Sequence, residues 1–149
     1  MFYAGAMRTN PLSDTKPSFE LWRKMPPVMQ ALLPNTMWDR IKLHELVLPV
    51  VELRVAELRW MLDLPWWRVG ERRFAVTPNQ VRHAPERYAA HWRRMLDADL
   101  DYPIDLLQRD RLIILDGVHR LLKADVLGMR TLACRVLDAE QFAAISTTE

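Results

Sequence analysis

An apolar strand that enters a helix through a single glycine is the feature that most constrains this chain. The run Asp116-Gly117-Val118-His119-Arg120 follows a strand predicted at 112–115 and opens an amphipathic helix predicted at 119–127. Glycine permits this sharp turn because it lacks a Cβ atom. The first backbone N–H groups of a helix have no intrahelical partners. The turn, with the nearby cations of His119 and Arg120, is therefore suited to binding a phosphate group.

The carboxylate of Asp116 adds a second chemical capacity to the turn, because it can hold a metal ion or accept a proton. A purely structural interpretation accounts for the same residues. In that interpretation Asp116 caps the helix, while His119 and Arg120 are surface cations. The five residues alone leave both interpretations open.

The rest of the chain predicts a succession of short strands and helices. Apolar and β-branched runs predict strands at 46–53, 74–76, 102–108, 112–115 and 131–137. Pro49 indicates that the first of these is an edge strand or contains a bulge. A helix is predicted to begin at Pro85 and Glu86, and its apolar face comprises Tyr88, Trp92, Met95 and Leu96. Residues 55–64 fit a helix and an extended segment equally well.

Residues 1–36 differ from the rest because prolines interrupt them repeatedly. The five prolines are Pro11, Pro17, Pro26, Pro27 and Pro34. They leave room only for a turn or two of helix at 19–24. We therefore expect a Pro-rich N-terminal arm over 1–36 and a single domain over 37–149. The arm is expected to pack on this domain or on the second subunit of a homodimer.

The composition argues against several classes of partner. With 21 Lys and Arg residues and 19 Asp and Glu residues, the net charge of +2 gives no general attraction to nucleic acid or anionic membranes. No apolar run is long enough to span a membrane, and the first residues do not resemble a secretory signal. The single cysteine, Cys134, prevents an internal disulfide and fits a reducing cytoplasm. We expect a small-molecule substrate.

Several common catalytic motifs are absent from the sequence. Its four glycines form neither a P-loop nor a dinucleotide fingerprint. No serine occurs between Ser18 and Ser146, which excludes a Ser-His-Asp hydrolase within the folded part. The four histidines show no ligand-like spacing with Cys134 that would support a zinc site.

Three motifs, in order, resemble those of the ParB/sulfiredoxin superfamily, which includes ParB N-terminal domains, sulfiredoxins and free-serine kinases. Gly117-Val118-His119-Arg120 is similar to the superfamily's Gly-x-(His or Arg)-Arg turn, which binds nucleotide phosphates. Val76-Thr77-Pro78-Asn79-Gln80-Val81-Arg82 resembles the Asn-Pro-x-Gln-Pro-Arg segment of ParB. Tyr102-Pro103-Ile104-Asp105 is similar to the Gln-Pro-Ile of ParB and the Pro-Ile-Asp of sulfiredoxin. The resemblance covers about 73–137 and implies the superfamily's α+β fold, with a small mixed sheet and packed helices.

The resemblance also implies a set of site residues. Residues that would bind one nucleotide are Gln80, Arg82, Gly117, Val118, His119 and Arg120. Residues expected to take part in catalysis are Asp116, His119, Arg120 and Glu86, with Asp105 and Glu71 as further candidates for the base. Asp116 would hold Mg²⁺. Val118 stands where sulfiredoxin needs a cysteine, so sulfinic-acid reduction is excluded.

These features predict Mg²⁺-dependent phosphotransfer from ATP or another nucleoside triphosphate to a small hydroxyl-bearing metabolite. One alternative is a non-catalytic nucleotide-binding or partition-accessory module. Another is a biosynthetic enzyme that needs no nucleotide and uses the same anion-binding corner. DNA recognition is disfavoured, because no helix-turn-helix can be drawn.

Overall fold

The structure, a computed structural model, describes residues 19–147. The elements in chain order are α1 (Phe19–Arg23), α2 (Pro27–Leu32), α3 (Arg40–Glu45), β1 (Val51–Arg54), α4 (Val55–Leu58), a 3-10 helix (Arg59–Asp63), β2 (Trp67–Val69), β3 (Arg72–Val76), α5 (Pro78–His83), α6 (Ala89–Asp97), β4 (Ile104–Gln108), β5 (Leu112–Asp116), α7 (Val118–Val126), β6 (Thr131–Leu137) and α8 (Ala139–Ile145).

A four-stranded mixed sheet with the strand order β1-β6-β4-β5 forms the centre of the fold. Strand β6 pairs antiparallel with β1 and parallel with β4, and β4 pairs antiparallel with β5. The register places Asp105 of β4 directly opposite Asp116 of β5. Strands β2 and β3 form a separate hairpin. The predicted α+β class with a small mixed sheet is therefore confirmed.

The predicted strands agree with the observed ones except at the start of the sheet. Strand β6 matches the prediction at both ends, and β4 and β5 match within two residues. Strand β1 begins only at Val51, because residues 46–50 pair with no strand. It lies at the edge of the sheet, as Pro49 indicated. Residues 55–64 form α4 and the 3-10 helix rather than a strand.

The helix predicted to begin at Pro85 begins instead at Ala89, after a turn over residues 85–88. Its predicted apolar face is also only partly buried, since Met95 is fully buried whereas Leu96 is half-exposed. No helix was predicted at Pro78, but the structure has α5 there. Thr77 caps α5 through the backbone N–H of Gln80, and the Gln80 side chain accepts from the Thr77 backbone N–H.

The described part of the predicted arm, residues 19–36, contains two short helices. Helix α1 lies within the predicted stretch 19–24, whereas α2 was not predicted. Pro27 begins α2 instead of breaking it, because a proline in the first helical turn loses no hydrogen bond. Leu21, Met25 and Met29 belong to the same hydrophobic core as the sheet. Residues 1–18 of the arm lie outside the described residues, and its role in a homodimer stays a prediction.

Among residues 19–147, none of the helices combines the length and the apolar character needed to cross a lipid bilayer.

Candidate functional site

The turn between β5 and α7 requires glycine for two separate reasons. Gly117 has a φ of 118°, in the left-handed region that side chains with a Cβ atom rarely adopt. A Cβ atom added there would also lie 2.5 Å from Cγ2 of Ile104, closer than real atoms approach. The predicted glycine turn is therefore confirmed. We call residues 116–120 the Gly117 corner.

The Gly117 corner is buried throughout. The residues concerned are Asp116, Gly117, Val118, His119 and Arg120. The alternative interpretation of His119 and Arg120 as surface cations is wrong, because each side chain is about 1% exposed. Asp116 does not cap α7 either, since Gly117 is the capping residue and no side chain bonds to the first turn.

The carboxylate of Asp116 lies between two basic side chains. Its Oδ2 atom is 3.3 Å from Nη2 of Arg120 and 3.4 Å from Nε2 of His44. Its other oxygen, Oδ1, is buried and accepts no hydrogen bond from the described residues. One oxygen of this fully buried carboxylate is therefore available to a further ligand.

Arg120 fastens the segment before β4 to the corner. Its Nη1 atom donates to the backbone carbonyl oxygens of Tyr102 and Pro103, at 3.1 Å and 2.6 Å. Its Nη2 atom faces Asp116. The guanidinium of Arg120 is thus directed at the protein's own acceptors, as a buried cation requires.

Asp105 forms a second buried acidic group beside Asp116. Its Oδ1 atom accepts a hydrogen bond of 2.6 Å from Nε of Arg135, whereas its Oδ2 atom accepts none from the described residues. Burial raises the pKa of the Asp105 carboxyl; the bond to Arg135 opposes this rise and the charge of Asp116 adds to it. Asp105, a further candidate for the base, is therefore brought to the corner.

Helix α3 brings His44 to the same place. Its first turn is capped by Asp39, whose side chain accepts from the backbone N–H groups of Ile41 and Lys42. Its C-terminal end is held by Arg135, which donates to the carbonyl oxygens of Leu43 and Leu46. His44, Asp105 and Asp116 each offer one donor atom, and the three atoms lie within 4.8 Å of one another. These residues could hold a metal ion.

Sequence reasoning identified Asp116 as a metal ligand but missed His44. The two residues lie on elements far apart in the chain, so no spacing in the sequence connects them. Asp105 was only a candidate base, and its pairing with Asp116 depends on the register of β4 and β5. The only signal for this pair was that Asp105 lies within one predicted strand and Asp116 directly follows the next.

His119 lies in a stack of three rings. The centroid of its ring is 3.9 Å from the ring centroid of Trp67, which in turn is 4.7 Å from the ring centroid of His91. Nε2 of His119 is 3.3 Å from Nδ1 of His91, and Nε2 of His91 is 2.7 Å from the carbonyl oxygen of Arg68. A carbonyl only accepts, so Nε2 of His91 carries a proton.

This hydrogen-bond direction fixes the proton positions of both neutral rings. Nδ1 of His91 is then the acceptor and Nε2 of His119 the donor, which leaves Nδ1 of His119 unprotonated. That atom is buried and has no hydrogen-bond partner among the described residues. Burial lowers the pKa of both histidines, that of His119 the more strongly, and the charge of Arg94 acts in the same direction.

The remaining predicted residues do not join the corner. Gln80 and Glu86 are exposed, and within the described part of the chain neither makes a hydrogen bond or ion pair with residues 116–120. Arg82 pairs with Asp125 at 2.8 Å, not with Glu86. Burial of Asp125 acts to raise its pKa, but the hydrogen bonds from Arg59 and Arg82 outweigh this effect, and the pKa is lowered.

Comparisons of the chain with protein-family models, with curated proteins and with solved structures gave no match.

Proposed function

We propose that the chain is a nucleotide-binding protein of the ParB/sulfiredoxin superfamily that acts in the cytoplasm. The observation that carries the proposal is the Gly117 corner. It joins a left-handed glycine with no room for a side chain, the N-terminus of α7 and the carboxylate of Asp116. Backbone N–H groups at the start of α7 would bind the phosphates. Asp116 would bind the accompanying divalent cation, Mg²⁺ in the first instance.

Nucleotide entry requires movement of the side chains that cover the corner. His119 is covered by Trp67, Arg120 bonds to the carbonyl oxygens of Tyr102 and Pro103, and His44 lies against Asp116. These covering groups belong to β2, the segment before β4, and α3. We therefore expect slow association, limited by an opening step.

In the catalytic form of the proposal, phosphate passes from the nucleoside triphosphate to a small hydroxyl-bearing metabolite. The acceptor oxygen forms a bond to the terminal phosphorus, the bond to the nucleoside diphosphate breaks, and the hydroxyl proton passes to a carboxylate. Asp105 fits this role better than Glu86 or Glu71, since it lies opposite Asp116 whereas the other two are exposed. A raised pKa also makes the Asp105 carboxylate a stronger base than an ordinary aspartate.

A non-catalytic nucleotide-binding module is the second candidate, and one observation favours it. Glu86, which was expected to take part in catalysis, is exposed and makes no hydrogen bond or ion pair with residues 116–120 in the described part of the chain. A protein of this kind would bind nucleotide without acceptor-dependent turnover.

Calorimetric titration of the full chain with ATP, CTP and GTP, with and without Mg²⁺, tests nucleotide binding. We expect saturable Mg²⁺-dependent binding by the wild type and by Asp125→Asn, a matched change near the other end of α7. Asp116→Asn should lose the Mg²⁺ dependence. If none of the three nucleotides binds, both candidates are wrong. ADP formation that depends on an added hydroxyl acceptor separates the enzyme from the binding module.

A further inference from the structure

Three donor side chains from three separate elements meet at the centre of the fold. They are His44 of α3, Asp105 of β4 and Asp116 of β5, and their donor atoms lie within 4.8 Å of one another. Both carboxylates are completely buried, and the side chain of His44 is 12% exposed. Buried ionised groups are costly unless a partner of opposite charge or a metal ion compensates them.

The protein's own cations compensate only part of each carboxylate. Arg135 binds Oδ1 of Asp105, and Arg120 faces Oδ2 of Asp116. Oδ2 of Asp105 and Oδ1 of Asp116 are buried and accept no hydrogen bond from residues 19–147. A buried acceptor without a donor leaves its loss of hydration uncompensated, and the penalty is larger when the acceptor is charged. Two such oxygens in one group indicate a missing ligand.

The distance between His44 and Asp116 fits two ligands of one metal ion as well as it fits an ion pair. Nε2 of His44 is 3.4 Å from Oδ2 of Asp116, beyond the usual N–H···O range of about 2.7–3.2 Å. Two ligand atoms about 2.0–2.2 Å from a tetrahedral ion are roughly 3.3–3.5 Å apart. The spacing of this pair is therefore that of two neighbouring ligands of one ion.

We propose that His44, Asp105 and Asp116 bind a zinc ion, with a fourth position open. One imidazole and two carboxylates suit Zn²⁺, whereas Mg²⁺ prefers oxygen ligands alone and keeps several waters. The inference replaces Mg²⁺ by Zn²⁺ at Asp116 and makes Asp105 a ligand rather than the base. It rests on no other part of the proposed function and is tested without nucleotide.

The charges of the group determine what fills the fourth position. With His44 neutral, the two aspartates balance Arg120 and Arg135, so a bound Zn²⁺ leaves two excess positive charges. An anion is therefore expected as the fourth ligand, either hydroxide or a phosphate oxygen. Because His44 is the ligand with exposed surface, the ion enters past α3.

The test begins with full-length protein dialysed against a chelator and titrated with Zn²⁺, with Co²⁺ as a spectroscopic probe of the same site. We expect one Zn²⁺ per chain by elemental analysis, a Co²⁺ absorption band that Zn²⁺ abolishes, and a raised melting temperature. Inorganic phosphate should shift the Co²⁺ band by entering the fourth position.

His44→Gln is the decisive variant, because it removes a ligand without leaving a buried carboxylate unpaired. It should bind Zn²⁺ at least about 100-fold more weakly. Even mutations of residues that only hydrogen-bond to metal ligands lower the metal affinity about 10- to 100-fold. His83→Gln, at an exposed position on α5, is the control and should bind as the wild type does. A melting curve of each metal-free variant confirms that it is folded.

The proposal is wrong if the wild type binds no Zn²⁺. It is equally wrong if His44→Gln binds Zn²⁺ as tightly as the wild type. The two proposals fail separately. If the protein binds nucleotide but does not bind Zn²⁺, only this inference is wrong. If it binds Zn²⁺ but none of the nucleotides, only the proposed function is wrong.

Discussion

Individual residues at the Gly117 corner have requirements that the sequence partly discloses. A glycine between a strand and a helix is visible in the sequence, and so is the carboxylate before it. The close approach of Ile104 to Gly117 is not visible, because it depends on how β4 lies beside the turn. The interpretation of His119 and Arg120 as surface cations failed for the same reason. Trp67 covers His119 and the segment before β4 contacts Arg120, and both come from elsewhere in the chain.

Gly117→Ala should destabilise the fold by about 2–5 kcal/mol, combining backbone strain with overpacking against Ile104. Gly128→Ala is the matched control, since Gly128 also has a positive φ but nothing lies within 4 Å of an added Cβ. It should cost only about 1 kcal/mol. Urea unfolding of the two variants measures the difference, and equal losses would show that the contact with Ile104 is unimportant.

Arg120→Met should cost about 3–5 kcal/mol, because it leaves the buried carboxylate of Asp116 without its guanidinium partner. Arg82→Met breaks a largely buried pair, but its carboxylate partner, Asp125, keeps Arg59, so the change should cost only about 1 kcal/mol. The free energies of unfolding from denaturant titration compare the two. A loss in Arg120→Met no larger than that in Arg82→Met would contradict the structural role assigned to Arg120.

At the scale of elements, sequence signals were reliable where the cause is local. Strand β6 is a β-branched and apolar run interrupted only by Arg135, and it lies where predicted. Helix α5 also has a local signal, the Thr77 capping box with Pro78 in the first turn, but no helix was predicted there. The late start of α6 at Ala89 has no such signal, since Pro85 and Glu86 are good helix-starting residues.

Thr77→Ala should destabilise the protein by about 1 kcal/mol, because the side-chain oxygen that accepts from the Gln80 backbone N–H is lost. Thr77→Ser keeps that oxygen and should retain most of the stability. Thermal unfolding measures both. If serine and alanine were equally destabilising, the methyl group and not the cap would be responsible.

At the scale of the whole molecule, the candidate metal site is a product of topology. The parallel pairing of β4 with β6 places Arg135 beside Asp105, and the antiparallel pairing of β4 with β5 places Asp116 there too. Arg135 then fixes α3, which carries His44, over the sheet. None of these pairings follows from residue spacing, which is why the sequence indicated Asp116 alone.

The whole molecule should lose stability as the pH falls from 7 to about 5.5. Burial holds the pKa of His91 and of His119 below the ordinary value of 6.5, so the unfolded chain takes up protons that the folded chain does not. Each such histidine lowers the free energy of unfolding by up to about 1.4 kcal/mol per pH unit below 6.5. Asp105 acts oppositely. Burial raises its pKa, so the folded chain holds this proton more tightly than the unfolded chain, and the resulting stabilisation is lost as the pH rises above 3.8.

His91→Gln isolates the histidine contribution, because the glutamine cannot be protonated. Chemical unfolding at several pH values should give a smaller loss between pH 7 and 5.5 for this variant than for the wild type. The exposed His83→Gln should leave the wild-type slope unchanged. An unaltered slope in His91→Gln would mean that His91 is protonated as readily in the folded chain as in the unfolded one. In that case a positively charged His91 ring would be stable in the stack with Trp67 and His119, although burial should disfavour the charge.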